Sequence, residues 1–322
     1  MKATIFAFLA VAFISNIDAA ESLLVLSKGD HTLAIVDPSN LKVIAKVPIG
    51  EDPHEVIASS DGKFAYVSNY GGGRYNTLAV VDLVAQKALP SIDLGPLRGP
   101  HGLAFAGGKV WFAAEGAKAV GRYDPAEKKI DWIMGTGQSR THMVMVSPYD
   151  NRIYTTNIGS ATVTFLDKGA EHREWNATVI PVGKGSEGFD ISPDGRELWT
   201  ADAGDGTVSI IDIAGKKVVE TLPANIRTAN RLKFTPDGKL VFISMLNNPD
   251  VTVLDAATHK EVKRIHTGKG AAGIQMQPDG SRVFVSCTPD NYVAVIDPKT
   301  LAIVGRIDAG PHPDGLAWAI QQ

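Results

Sequence analysis

The chain has 322 residues, of which 44% are hydrophobic and 21% charged, a balance that argues against long disordered stretches and leaves ample apolar surface for a core. A formal charge of −3, with no block of Lys and Arg, argues against nucleic acid as a partner. The single cysteine, Cys287, excludes an internal disulfide, a C-x-x-C-H haem attachment and a multi-cysteine metal cluster.

The first element is a leader. Lys2 gives a positive start, Ile5 to Ile14 an apolar run and Ala19-Ala20 a small-residue end, so residues 1–20 read as a cleaved signal peptide. The run is too short to span a membrane, and no other stretch is long and apolar enough. The expected mature protein, residues 21–322, is periplasmic or secreted, has no membrane span, forms one domain and is a monomer.

From there one pattern of about 40 to 47 residues recurs to the end of the chain. Its units begin at Pro53, Pro100, Thr141, Ser186, Ala229 and Ala271. Each opens with a short apolar strand and a turn such as Ser192-Pro193-Asp194-Gly195, where Pro presets φ and Gly accepts a positive φ. A second strand alternates aromatic and small residues, as in Phe64 to Asn69. A β-branched third strand ends in Asp, as in Thr207 to Asp212, and a fourth leads to a Gly-containing link.

Both ends are incomplete units. Residues 23–50 supply strands two to four without a first, and residues 315–320 supply a first strand alone. Joined, they make a seventh unit. The expected fold is therefore all-β: a seven-bladed β-propeller with four-stranded antiparallel blades, its ring closed by the C-terminal strand joining the N-terminal blade.

The second strands Ala65-Tyr66-Val67-Ser68-Asn69 and Ile153-Tyr154-Thr155-Thr156-Asn157 resemble the signature strand of the YVTN-type β-propeller repeat family, and the resemblance covers the whole mature chain. It implies the fold; that family includes surface-layer, periplasmic binding and enzyme-related members. A narrower stretch, Gly102 to Phe105, Val110 to Glu115 and Val120 to Arg122, resembles a repeat of the streptogramin lyase propellers. That second resemblance implies a metal and a histidine on the top face that open a lactone by elimination.

Propeller sites gather at one mouth of the central channel, where the innermost strands converge. The residues expected just before those strands are His54, His101, His142, Glu187, Asn230, Ala272 and Asp314. Three imidazoles and a carboxylate on consecutive blades suit a divalent transition metal, zinc, copper, iron or manganese, with His54, His101, His142 and Glu187 as its ligands. Glu187 and His142 are the candidate catalytic groups of a lyase, hydrolase or oxidase acting on a small molecule.

Loops between second and third strands are expected to add His31, Tyr70, Tyr75, Glu115 and Asp205 to the same face, with the Gly-rich insertion from Tyr70 to Asn76 as a potential flap. His31, Tyr70, Arg140, Asn230, Arg231 and Asp314 are candidates for substrate contact or for supporting the ligands. Surface salt bridging is the plainer expectation for Arg140 and Arg231. The alternative is a non-catalytic periplasmic protein that holds a partner protein or ligand on the same face, its histidines being solvated loop residues.

Overall fold

The computed structural model describes residues 20–150, 152–169 and 174–322; residues 1–19 of the expected leader, and His172, lie outside the described residues. Twenty-eight strands form seven four-stranded antiparallel sheets, as the repeat predicts. The six innermost strands that open blades one to six begin at the six unit starts read from the sequence: Pro53–Ala58, Pro100–Ala106, Thr141–Val146, Ser186–Ile191, Ala229–Phe234 and Ala271–Met276. Among the described residues no helix is long and apolar enough to cross a membrane.

Ring closure follows the expected pairing. The last strand, Pro313–Ile320, lies antiparallel to Glu21–Ser27, with Leu23 opposite Trp318, Leu24 opposite Ala317 and Val25 opposite Leu316. Glu21–Ser27 is buried from Ser22 onward, so an unpaired edge there would leave buried backbone amides without partners.

Turn chemistry explains the hairpin that follows the innermost strand of blade four. In Ser192–Gly195 the Ser192 hydroxyl donates to Asp194 Oδ1 at 2.6 Å, and the Gly195 amide donates to the Ser192 carbonyl at 2.8 Å. Gly195 has φ 72°, a conformation that glycine adopts without cost. Trp199, Tyr154, Phe112, Phe165, Phe242 and Phe284 are the largest fully buried side chains among the described residues.

The feature that positions the site is a bulge. In every blade the innermost strand slips register against its neighbour just after its first residue: between Pro53 and Val56, Pro100 and Leu103, Thr141 and Met143, Ser186 and Phe189, Ala229 and Leu232, Ala271 and Ile274, and opposite Val25 and Ser27 in the closing blade. A bulge bends the strand and re-aims a side chain. The bulged residues are the seven positions tabulated from the sequence, so they lie second in each strand and not before it, as the sequence reading had them.

The signature strands hold those bulges in place. The Glu55 amide donates to Ser68 Oγ at 3.0 Å, Thr156 Oγ1 donates to the Glu187 carbonyl at 2.8 Å, and Ser286 Oγ donates to the Asp314 carbonyl at 2.7 Å. Asn69, the last residue of its signature strand, donates from Nδ2 to the carbonyls of Ile49 and Glu51 at 3.0 Å each, tying down the incoming link. The Ser/Thr and Asn of the repeat thus satisfy backbone that the bulge leaves unpaired.

Candidate site at the channel mouth

The residue after each bulged position divides the blades into three kinds, one of them blade three alone, which has Met143 there. Four blades have glycine there, and a Cβ at Gly102, Gly188, Gly273 or Gly315 would lie 2.3 to 2.6 Å from the next blade's backbone. Adjacent innermost strands therefore touch main chain to main chain. Blades one and five carry Glu55 and Arg231 at this position instead. Their side chains meet across the channel as an ion pair, with side-chain exposures of 12% and 9%. The expectation of a surface salt bridge fails for Arg231: it is buried, and its Nη1 also donates to the Asn230 carbonyl at 2.9 Å.

Above this pair lies a cavity of about 610 Å³ lined by Lys28, His54, Tyr70, His101, Arg140, His142, Glu187, Asn230, Arg231, His312 and Asp314, with Leu246, Gly270, Ala272, Thr288 and Pro289 on its other side. Below it a second cavity of about 330 Å³ follows the channel and is lined by both Glu55 and Arg231. Since Arg231 borders both, the Glu55–Arg231 pair is the floor of the mouth.

The imidazoles converge as expected. His101 and His142 stack with ring centroids 3.6 Å apart, and His54 lies 4.8 Å from both His101 and Tyr70. The planes of His101 and His142 are tilted by 33° and those of His54 and His101 by 63°, and the nitrogens of His54 and His142 are turned to different neighbours. Lys28 Nζ contacts His54 at 2.6 Å from Nδ1 and 3.1 Å from Nε2, while also pairing with Asp52 and Asp314 at 3.1 Å each. Among the described residues no group of three or more His, Cys, Asp or Glu is arranged to hold a metal ion. The expected ligands are brought together without forming a ready coordination shell.

Glu115, which the sequence offered only as a loop residue, is the hub. It stands in the short 3-10 turn Glu115–Ala117 and its carboxylate accepts from His142 Nδ1 at 2.7 Å, Arg140 Nε at 2.8 Å and the Tyr70 hydroxyl at 2.9 Å. The other His142 nitrogen, Nε2, faces Glu187 Oε1 at 3.6 Å, and Glu187 Oε1 accepts from Asn230 Nδ2 at 2.6 Å. Two buried imidazole nitrogens, His101 Nδ1 and His142 Nε2, have no hydrogen-bond partner among the described residues.

This arrangement separates the protonation states. Burial alone would lower the His142 pKa, but the Glu115 and Glu187 carboxylates outweigh it and raise it above the ordinary histidine value. Burial, reinforced by the neighbouring imidazoles, pushes His101 far below that value. Burial works against the Glu115 carboxylate too, yet His142 and Arg140 hold it down at about 2, and Glu187 is lowered by His142 in the same way. The mouth thus sets a histidine whose charged form is favoured by two carboxylates beside one whose burial favours the neutral form.

The remaining expected residues divide. Tyr70, Arg140, Asn230, Arg231 and Asp314 line the cavity; His31 and Asp205 do not. The Gly-rich insertion is docked and not free: Gly73 packs 2.9 Å from where a Cβ at Gly99 would lie, the Gly99 amide donates to the Tyr75 carbonyl at 2.7 Å, and Tyr75 Oη donates to Glu51 at 2.7 Å. His312, in the closing loop two residues before Asp314, also borders the cavity.

With fold and site in view, comparison with known families becomes informative. The family description "YNCE-like beta-propeller" matches residues 119–282, more than half of the chain. The chain belongs to the YNCE-like β-propeller family. No curated protein matches it. This YNCE-like propeller is similar in fold to a protein of unknown function from Desulfotomaculum acetoxidans, at 13% identity and TM-score 0.77, covering 94% of this chain and 99% of that one.

A proposed 6-phosphogluconolactonase of Bacteroides uniformis superposes at 14% identity and TM-score 0.75 over 93% of this chain and 100% of that one. Hydrazine synthase of Kuenenia stuttgartiensis matches at 20% identity and TM-score 0.68, covering 83% of this chain and 89% of that one. At these identities the likeness is one of fold, and the chemistry of the YNCE-like propeller has to be argued from its own mouth.

Proposed function

We propose that the mouth is the active site of a small-molecule hydrolase or lyase in which His142 is the general acid and Glu187 the general base. The observation that carries this reading is the placement of His142, a residue lining the cavity, between two carboxylates, its Nδ1 held by Glu115 and its Nε2 facing Glu187 Oε1 at 3.6 Å. Acid and base are distinguished by neighbours that push their pKa values apart, His142 up and Glu187 down. In hydrolysis, Glu187 takes a proton from the attacking water while the His142 Nε2 proton goes to the leaving oxygen. In elimination the same carboxylate takes a carbon-bound proton.

Glu115 is a positioning residue: by accepting from Nδ1 it fixes the orientation of the ring and leaves Nε2 as the nitrogen that faces Glu187. The leader expected over residues 1–20 would place this activity in the periplasm or outside the cell.

A second reading keeps a divalent transition ion, such as zinc, copper, iron or manganese, on His54, His101, His142 and Glu187. It is favoured by the two unpartnered buried nitrogens of His101 and His142, and by a carboxylate on the far nitrogen of His142, the usual support for a metal-bound imidazole. The same mouth without turnover would be the holding surface of a binding protein.

One assay separates these. Opening of γ-lactones, followed by proton release, is expected to fall by about 10²–10⁴-fold in His142→Gln and Glu187→Gln. In Glu115→Gln the alkaline limb of the pH profile is expected to move to lower pH. Activity that survives a strong chelator supports proton transfer, and activity lost to the chelator and restored by zinc supports the metal reading. No turnover by the intact protein with or without added metal overturns both and leaves the holding surface.

A further inference from the structure

Resting on that reading of the mouth, we infer that its substrate is amphipathic: the reacting polar group sits over blades one to four, and an apolar portion crosses the mouth to a greasy wall on blades five and six. Two registers of the repeat carry the inference. At the bulged position, six blades present His, Glu, Asn or Asp, and only the sixth presents an apolar residue, Ala272. At the residue after the second strand, the cavity is lined by Lys28 of blade seven, Tyr70 of blade one, Leu246 of blade five and Thr288 of blade six, while Ile158 of blade three and Ala203 of blade four do not border it; of these four lining residues Leu246 alone is apolar.

Leu246 is 41% exposed and borders the cavity, with Ala272 and Pro289 beside it. The innermost strands touch in ring order, so blades five and six stand opposite blade two, which carries His101. An exposed leucine is unremarkable alone; here it is one side of a cavity whose other side is charged. The volume of about 610 Å³ is that of a site for a drug-sized molecule.

The wall makes a length-dependent prediction. Each methylene moved from water onto an apolar surface strengthens binding by about fourfold. The probes are 2-alkylcyclopentanones, carbon analogues of γ-lactones that cannot be hydrolysed, with side chains growing from none to hexyl, and dissociation constants are measured by calorimetry on the full-length mature protein. In the wild type, affinity is expected to rise by about two- to fourfold per methylene over the first three or four carbons. In Leu246→Asp, an exposed position where folding is not at stake, the rise per carbon is expected to vanish, and in Leu246→Met it is expected to persist. A flat series in the wild type, no binding by any member, or the same rise in Leu246→Asp would overturn the inference. Because binding is read apart from turnover, a rising series without lactone opening contradicts the proposed chemistry alone, whereas opening with a flat series contradicts the apolar wall alone.

Discussion

Removal of residues 313–322 is expected to abolish cooperative folding. The strand lost, Pro313–Ile320, buries Leu316, Ala317 and Ala319 to 8% exposure or less and packs Trp318 against Phe284 at a centroid distance of 5.8 Å. At about 1–3 kcal/mol for each large apolar side chain, and with the ladder to Glu21–Ser27 lost as well, the change approaches the whole net stability of an ordinary domain, about 5–15 kcal/mol. It also exposes the edge of an almost wholly buried strand, a template for association between chains. Thermal unfolding by circular dichroism and the sedimentation of the truncated chain check this. A soluble monomer with a sharp transition would mean that the ring does not depend on its closing strand.

The second large effect is expected at the floor of the mouth. Glu55 and Arg231 are both largely buried, so removing one leaves the other as an uncompensated charge, at a cost of about 3–5 kcal/mol. Arg231→Met and Glu55→Met are each expected to shift the urea midpoint strongly. The double variant, with apolar side chains meeting in the channel, is expected to be clearly less destabilised than the sum of the two. Arg231 Nη1 also lies 3.7 Å from Glu187 Oε1, which makes Arg231→Met the costlier single change when the site itself is assayed. Single variants within about 1 kcal/mol of the wild type would show that the pair is solvated and that the mouth has no such floor.

The fold was legible because it is repetitive. Six unit starts, the signature strands and the split seventh blade are each visible as periodicity, and they matched the sheets because every blade must bury the same faces. The ring of candidate residues was legible for the same reason: a register position repeats even when its chemistry does not. Three properties were hidden. Glu115 lies in a loop, so its role as acceptor for His142, Arg140 and Tyr70 depends on distances between blades that the repeat does not encode. Arg231 looked like a surface cation because its partner, Glu55, stands 176 residues away. The orientation of the imidazoles, stacked instead of aimed at one point, is set by Lys28 and Glu115 and could not be read from three histidines in one register.

The protonation pattern has a stability counterpart. His142 has its pKa raised in the folded state, so its contribution is fully present below the ordinary histidine value and is lost as pH rises through the raised one. His101 is depressed, so the folded state is penalised as pH falls below the ordinary value, where the unfolded chain takes up the proton. Glu115, lowered to about 2, stabilises above the ordinary carboxylate range and loses that contribution as pH falls toward 2.

The most direct test of the account is a pH titration of the isotope-labelled imidazoles by NMR, with His101 and His142 assigned by substitution. The expected result is two stacked rings that titrate on opposite sides of the ordinary histidine value of about 6.5, His142 above and His101 well below, with His142 moving down in Glu115→Gln. Both rings titrating together near 6.5, unchanged by Glu115→Gln, would contradict an imidazolium fixed between two carboxylates and with it the proposed acid at the channel mouth.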